Sequence, residues 1–330
     1  MASSLYRELT DYELNMLVSE ALRAKLISAH PLTGGLFNTT YLVETEEYGK
    51  TILRAGPVNR HLLMPFEHHL MEAEETVYSL CGAQGIPTSE IMIADTSKTL
   101  LDRDFMFVRY IPSHPMSETE LDSQDKDRIV RDIGAATAKL HDISAPRFGR
   151  IVDVKRGGGF SRWSDALAHE LHEWEKVGVP TSIFSPEEHG EIRLLFEKAA
   201  PYLDEIKKPR LVHTDFWFGN ILIRTHTERP EFAAIIDADR ALWGDTDFEF
   251  SSIQWSYGEA AFWEGYGRPL AWDDASRIRR SVYTLLNRLW NSYVYQEEYN
   301  EPENASHEAG DARLQMAYLK EAFSHGAASR

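Results

Sequence analysis

Apolar and polar positions follow two rhythms along this chain. Leu14, Leu17, Val18 and Leu22 recur at helical spacing, so residues 11–29 read as a helix. The next stretch, residues 31–44, is loop-like in its middle and strand-like at its end. A turn at 47–50 and a strand at 51–54 complete a β-hairpin entered through a glycine-containing loop. Residues 64–80 read as a helix that Gly85-Ile86-Pro87 closes. Residues 105–111 read as a buried strand that Pro112 stops. Beyond it the period is mainly helical. Ile129, Ile133, Ala136 and Leu140 mark an amphipathic helix ending at His141. A glycine-rich loop spans 150–159, and helices are predicted over 163–174 and 187–203. Ile278, Val282, Leu285, Leu286, Leu289 and Tyr293 trace one apolar stripe on a long helix. Strands in the first third and helices afterwards predict an α+β chain of two lobes, residues 1–110 and 111–330, and 330 residues suffice for both.

Composition narrows the function classes. Hydrophobic residues make up 43% of the chain and charged residues 26%, as in an ordinary soluble protein. The N-terminus has no basic segment followed by an apolar run, so no signal peptide is expected. No window approaches the apolar length of a membrane helix. The single cysteine, Cys81, excludes an intrachain disulfide, and a cytoplasmic location is expected. A formal net charge of −17 argues against nucleic acid as a partner and favours a cationic ligand through long-range attraction. Acidic surfaces also simply keep proteins soluble.

The chemistry concentrates between residues 211 and 237. A strand, a tight polar loop and a second strand present His213, Asp215 and Asn220 in the order His-x-Asp-x-x-x-x-Asn. A further apolar strand, 233–236, ends directly in Asp237. Phosphoryl transfer to a hydroxyl needs one carboxylate to orient the attacking oxygen and two oxygen ligands for magnesium. Asp215, Asn220 and Asp237 supply all three from adjacent strand ends. An isolated loop aspartate is usually a turn former or a cap, but the three residues together make that reading unattractive. Asp239 follows as a candidate substrate or supporting group. Asp245, after Gly244, reads as a loop anchor that accepts backbone hydrogen bonds. His213 has no second His or Cys at zinc-ligand spacing, so it is expected to fix its loop through a backbone carbonyl or the strand of Asp237. His68 and His69 point two ways on a helix and form no ligand set. Gly34, Gly35, Asn38 and Thr39 form a loop whose backbone N–H groups can approach phosphate oxygens, although no Gly-Lys-Ser/Thr follows it. Arg54 ends the next strand within reach of phosphates. Glu74 or Glu72 on the following helix can pair with it.

These residues resemble the aminoglycoside phosphotransferase family, a branch of the protein-kinase-like fold, over nearly the whole chain. The resemblance implies a small N-terminal antiparallel-sheet lobe with a helix and a larger helical C-terminal lobe. It casts 33–39 as the nucleotide loop, Arg54 and Glu74 as the phosphate-side pair, and 107–110, including Arg109 and Tyr110, as the hinge beside adenine. It also takes in Ala138-Lys139-Leu140-His141. Asp215 carries over as the catalytic aspartate, with Asn220 and Asp237 as metal ligands, and ATP or GTP with Mg2+ as cofactors. The chain departs from the family where His-Thr-Asp replaces a frequent His-Gly-Asp and where Arg54 replaces a lysine. The absence of an Ala-Pro-Glu segment argues against a protein substrate.

The family binds its acceptor in a cleft of the large lobe. Candidates here are Asp165, Glu170 and Glu173 on one helix, and Trp255, Tyr257, Glu259, Trp263 and Glu264 after the metal loop. Carboxylates beside aromatic rings suit a polycationic antibiotic or another amine. The expected protein is therefore an antibiotic kinase, monomeric or homodimeric, acting on a small-molecule hydroxyl with no membrane or nucleic-acid partner. A metabolic kinase for choline, a sugar or an amino alcohol is the alternative. A nucleotide-binding pseudoenzyme and a metal hydrolase are the readings from other classes.

Overall fold

The structure is a computed structural model, and it describes residues 3–32, 35–178, 182–252 and 254–326. The first helix, α1, spans Asp11–Glu20. Thr10 caps it, with its hydroxyl accepting from the Glu13 N–H while the Glu13 carboxylate accepts from the Thr10 N–H. The helix predicted to residue 29 stops at Glu20, because Arg23 takes a left-handed φ of 56° and Leu26–Leu32 then pairs as strand β1. Strands β2 (Thr39–Thr45) and β3 (Gly49–Ala55) form the expected hairpin, with Gly49 supplying the positive φ at its turn. Helix α2, Leu70–Ala83, starts later than its pattern predicts, since residues 65–69 form a 3-10 turn behind Pro65. Strands β4 (Ile91–Asp95) and β5 (Phe105–Arg109) complete an antiparallel sheet of order β1-β2-β3-β5-β4.

Strand alternation gives this sheet two faces. Tyr41, Val43, Leu53, Phe105 and Phe107 pack on Leu14, Leu17 and Val18 of α1. On the other face Met106 and Val108 meet Met71 of α2.

After β5 come β6 (His114–Pro115), α3 (Ser123–Leu140), β7 (Gly149–Arg150) and α4 (Ile151–Lys155), so the predicted glycine-rich loop contains a short helix. Then follow α5 (Trp163–Lys176), α6 (Pro186–Leu203), β8 (Arg210–Val212), β9 (Ile221–Arg224), β10 (Glu231–Ile235) and β11 (Leu242–Gly244). The chain ends with α7 (Glu249–Ser252), α8 (Ala260–Tyr266), α9 (Asp274–Tyr293) and α10 (Pro302–Gly326). Two three-stranded sheets, β10-β9-β6 and β7-β11-β8, hold the ends of the functional loops among these helices. The apolar stripe of α9 enters a core built with Trp163 and Trp174 of α5 and with α6 and α10. Helices α3 and α8 pack in a second core with α2 and both small sheets. Among the described residues no helix is long and apolar enough to cross a membrane.

Candidate active site

Strand β8 delivers His213, Thr214 and Asp215 to the cleft, and the buried carboxylate of Glu249 fixes their backbone. It accepts the N–H groups of His213 at 2.8 Å and Thr214 at 3.0 Å. Burial pushes the Glu249 carboxyl upward, but hydrogen bonding and charge from His141, with His213, outweigh this and hold it below its ordinary value. His213 uses both ring nitrogens locally: Nδ1 accepts the Asp215 N–H at 3.3 Å and Nε2 donates to the Ile236 carbonyl at 3.0 Å. Thr214 takes a φ of 70°, and its hydroxyl donates to the Arg240 carbonyl at 3.0 Å. Asn220 closes the loop. Its amide Nδ2 donates to the Asp215 carbonyl at 2.8 Å and to Asp215 Oδ2 at 3.0 Å, which turns its oxygen the other way.

Asp237 lies beside this loop, just past β10, at a φ of 63°, and its N–H donates to the Tyr78 hydroxyl of α2 at 2.9 Å. Arg54 joins the two parts of the molecule here. Its Nη1 meets both oxygens of the fully buried Glu74 at 2.5 Å, and its Nη2 meets Asp237 Oδ1 at 2.5 Å and lies 3.7 Å from Asp239. Burial works against the guanidinium charge; Glu74, Asp237 and Asp239 outweigh it and hold its pKa well above the ordinary value. Glu72 goes elsewhere, to Arg156 at 2.6 Å. Oxygens of Glu74, Asp237 and Asp239 lie within 4.8 Å of one another. Burial and the charge of Asp237 push the carboxyls of both Asp215 and Asp239 upward.

Arg54, Glu74, Asp215, Asn220, Asp237 and Asp239 line one cavity of about 850 Å³, together with Gly35, Asn38, Arg109 and Tyr110. The Arg109 guanidinium itself turns to the exposed Glu90 at 2.7 Å. Thr39 is not part of the lining. It is fully buried and donates to the Arg7 carbonyl at 3.0 Å, because alternation along β2 presents Thr40 to the cleft instead. Gly34 lies outside the described residues, as does the side chain of Trp255.

The acidic acceptor cluster predicted from the sequence does not assemble. Asp165 pairs with Arg162, one turn earlier, at 2.5 Å; Glu173 pairs with Lys176 at 2.7 Å and Glu264 with Arg131 at 2.7 Å. Glu170 is buried and grips Arg150 through two bonds of 2.9 and 2.6 Å, so Arg150 and not the carboxylate reaches the cavity. Glu259 binds Lys126 at 2.6 Å, Tyr257 donates to the Phe250 carbonyl, and the Trp263 indole donates to the Ser256 carbonyl. Each carboxylate has a cationic side chain as its partner, which composition alone does not reveal. The cavity is lined there by Asn287, Arg288, Trp290, Asn291 and Tyr295, from α9 and the π-helical turn Val294–Glu298 that extends it. The sequence carries a signal for them, since 287, 291 and 295 repeat every four residues beside the apolar stripe.

The family model described as "Phosphotransferase enzyme family" matches residues 28–280. No curated protein matches the chain. Solved structures share the fold at low identity. A thermostable mutant of aminoglycoside phosphotransferase APH(4)-Ia, in ternary complex with AMP-PNP and hygromycin B, aligns with a TM-score of 0.63 at 13% identity, over 93% of this chain and 98% of that one. A protein of Thermobifida fusca YX-ER1, assigned provisionally as a fructosamine-3-kinase, gives 0.64 at 15% identity, over 92% and 98%. The GDP and kanamycin complex of APH(2")-IIia gives 0.59 at 15% identity, over 96% and 99%. At such identities the likeness carries the protein-kinase-like, two-lobed α+β fold.

Proposed function

Because the chain belongs to the phosphotransferase enzyme family, a family of small-molecule kinases, we propose that it transfers the γ-phosphoryl group of ATP or GTP to a hydroxyl of a small molecule. In this reading residues 1–110 hold the nucleotide and 111–330 supply the catalytic groups and the acceptor wall. Asp215 orients the attacking hydroxyl and takes its proton as the new oxygen–phosphorus bond forms and the bond to the nucleoside diphosphate breaks. Asn220 and Asp237 hold Mg2+, for which hard oxygen donors are the right chemistry. The upward push of Asp237 on the Asp215 carboxyl, second to burial, is the repulsion such a cation would relieve. When bound, the ion neutralises charge on the β and γ phosphates. Arg54, held by Glu74 and Asp237, supplies a fixed positive charge beside those phosphates. The backbone at Gly35 and Asn38 covers them, and the segment at Arg109 and Tyr110 borders the base. A cytoplasmic site of action, where nucleoside triphosphate is available, goes with this reading.

The observation that carries the proposal is the convergence on one cavity of an amide-tethered Asp215 and an arginine-tethered Asp237, on neighbouring chain segments joined by the Ile236 N–H to Asn220 carbonyl bond. Coupled ADP release across a panel of hydroxylated acceptors tests it. Asp215→Asn is expected to lower turnover by roughly 100-fold or more, since it removes the proton acceptor while keeping the shape. Equal turnover by the variant, or phosphate-ester cleavage without nucleotide, would sink it. An antibiotic acceptor agrees with the hygromycin B and kanamycin complexes of two structural neighbours. A sugar-derived acceptor agrees with the fructosamine-3-kinase assignment of the third, and the lining of the wall favours that second reading.

A further inference from the structure

The acceptor end of the cavity is built from groups whose hydrogen bonding is half used. Asn287 Nδ2 donates to Ser251 Oγ at 2.6 Å, and Asn291 Nδ2 donates to Glu308 at 3.3 Å. Both amide oxygens are without a partner among the described residues, and so are the Tyr295 hydroxyl and the buried indole N–H of Trp290. Arg288 gives Nη1 to both oxygens of Glu308, at 3.1 and 2.9 Å, with Asp311 3.6 Å from Nε, and its Nη2 makes no bond among the described residues.

Charge is cancelled behind this wall. Arg150 is tied to Glu170, Arg240 to Glu67, and Arg288 to Glu308, so the guanidinium groups line the cavity and their carboxylates stand at the back. The carboxylates that do line it, among the described residues, are Glu74, Asp237, Asp239 and Asp215 at the phosphate end, and Glu118 on the exposed turn after β6. A ligand with several ammonium groups would lose water on entering and have the guanidinium groups of Arg150, Arg240 and Arg288 in the lining, a costly exchange. A neutral polyol would find amide oxygens to receive its hydroxyl protons, and N–H groups to donate to its oxygens. It would also find an aromatic floor. Trp217 is 51% exposed, and its ring occupies the space of the side chain that Gly219 lacks, 2.2 Å from where a Cβ would stand.

We infer that the acceptor is an uncharged polyhydroxylated ring compound, of the sugar or glycoside class, read by Asn287, Asn291 and Arg288 and floored by Trp217. The inference rests on the phosphotransferase reading above and names the acceptor of that same site. The specificity comes from buried polar groups that a wrong ligand leaves unpaired, the kind of site that discriminates strongly.

The test uses the full chain with magnesium ATP and matched acceptors: neutral sugars and glycosides against their 2-amino counterparts, with an aminoglycoside panel alongside. Neutral members are expected to show kcat/KM about tenfold or more above their amino partners. Asn291→Ala is expected to raise KM for a neutral acceptor about tenfold, with the smaller effect on kcat. Asn291→Asp, of the same size, is expected to narrow or reverse the preference by offering an ammonium group a carboxylate. Asp215-dependent turnover of amino acceptors equal to or above that of neutral ones overturns the inference while leaving the phosphotransferase reading intact. If no acceptor gives Asp215-dependent ADP release, the phosphotransferase reading falls instead. Tryptophan-fluorescence titration without nucleotide then decides the site on its own. Neutral rings that bind, and weaken about tenfold in Asn291→Ala, support the assignment; no binding, or preferential binding of polyamines, defeats it.

Discussion

Thr214 stands between His213 and Asp215 at a φ of 70°, a conformation that a β-branched residue seldom adopts. Glycine adopts this backbone freely, and the chain carries threonine here instead. The left-handed backbone costs a non-glycine residue about 1–2 kcal/mol. Two bonds offset this, from its N–H to Glu249 and from its hydroxyl to the Arg240 carbonyl, both 3.0 Å. Thr214→Val keeps the branch and loses the hydroxyl, so it is expected to destabilise the protein by about 1–3 kcal/mol in denaturant unfolding. Thr214→Gly, which relieves the backbone as it loses the same bond, is expected to fall well short of that loss. A valine variant as stable as the parent would show that the hydroxyl contributes nothing. The residue type was readable from the sequence. Its backbone angle was not, because Glu249 and Arg240 impose it from other elements.

At the scale of elements, α3 and α8 touch backbone to backbone. A Cβ on Gly265 would stand 1.9 Å from the Arg131 carbonyl oxygen, and one on Gly134 would stand 2.2 Å from that of Phe262. Gly265→Ala must push the helices apart and is expected to cost about 1–3 kcal/mol. Gly310→Ala in α10 has nothing within 4 Å and is expected to gain roughly 0.5–1 kcal/mol from helix propensity. Thermal unfolding of the pair separates crowding from propensity, and equal signs would refute the argument. Asp245 links the turn before α7 to α9 by accepting from the Asp247 N–H at 3.1 Å and the Tyr283 hydroxyl at 2.8 Å. Burial, with the charge of Asp247, pushes its carboxyl up to about 6 from 3.8. The folded chain therefore holds this proton more tightly than the unfolded one. The contribution is complete below the unfolded value and is lost as pH rises through about 6. Asp245→Asn is expected to flatten that decline in a Tm series between about pH 4 and 7, and an unchanged slope would remove Asp245 as its source.

Across the whole molecule, Arg54 is the strut between the five-stranded sheet and the loop after β10. It is 12% exposed, while its partner Glu74 is fully buried. Arg54→Leu strands that carboxylate beside Asp237 and Asp239, and is expected to cost about 3–5 kcal/mol and to weaken nucleotide-dependent thermal stabilisation. Retention of both would mean that the strut is incidental. Net charge acts at this scale too. The total of −17 sets a long-range field that attracts cations, yet the cavity wall presents guanidinium groups. The two are compatible because the field sums the entire surface, whereas a bound acceptor meets a handful of atoms.

Spacing along the chain was enough to reveal α2, α3, α5, α6 and α9, the hairpin and the family, and it grouped Asp215, Asn220 and Asp237, which the fold brings to one cavity. Each of those rests on a backbone period or on a loop of a few residues, which local sequence dictates. Which glutamate meets Arg54, which of Thr39 and Thr40 faces the cleft, and which residues of α9 line the cavity were decided by packing. The partners of Asp165, Glu170 and Glu259 are arginines and a lysine 3, 20 and 133 positions away. A charged side chain pairs with whatever cation the fold brings nearest, and no one-dimensional pattern records that distance.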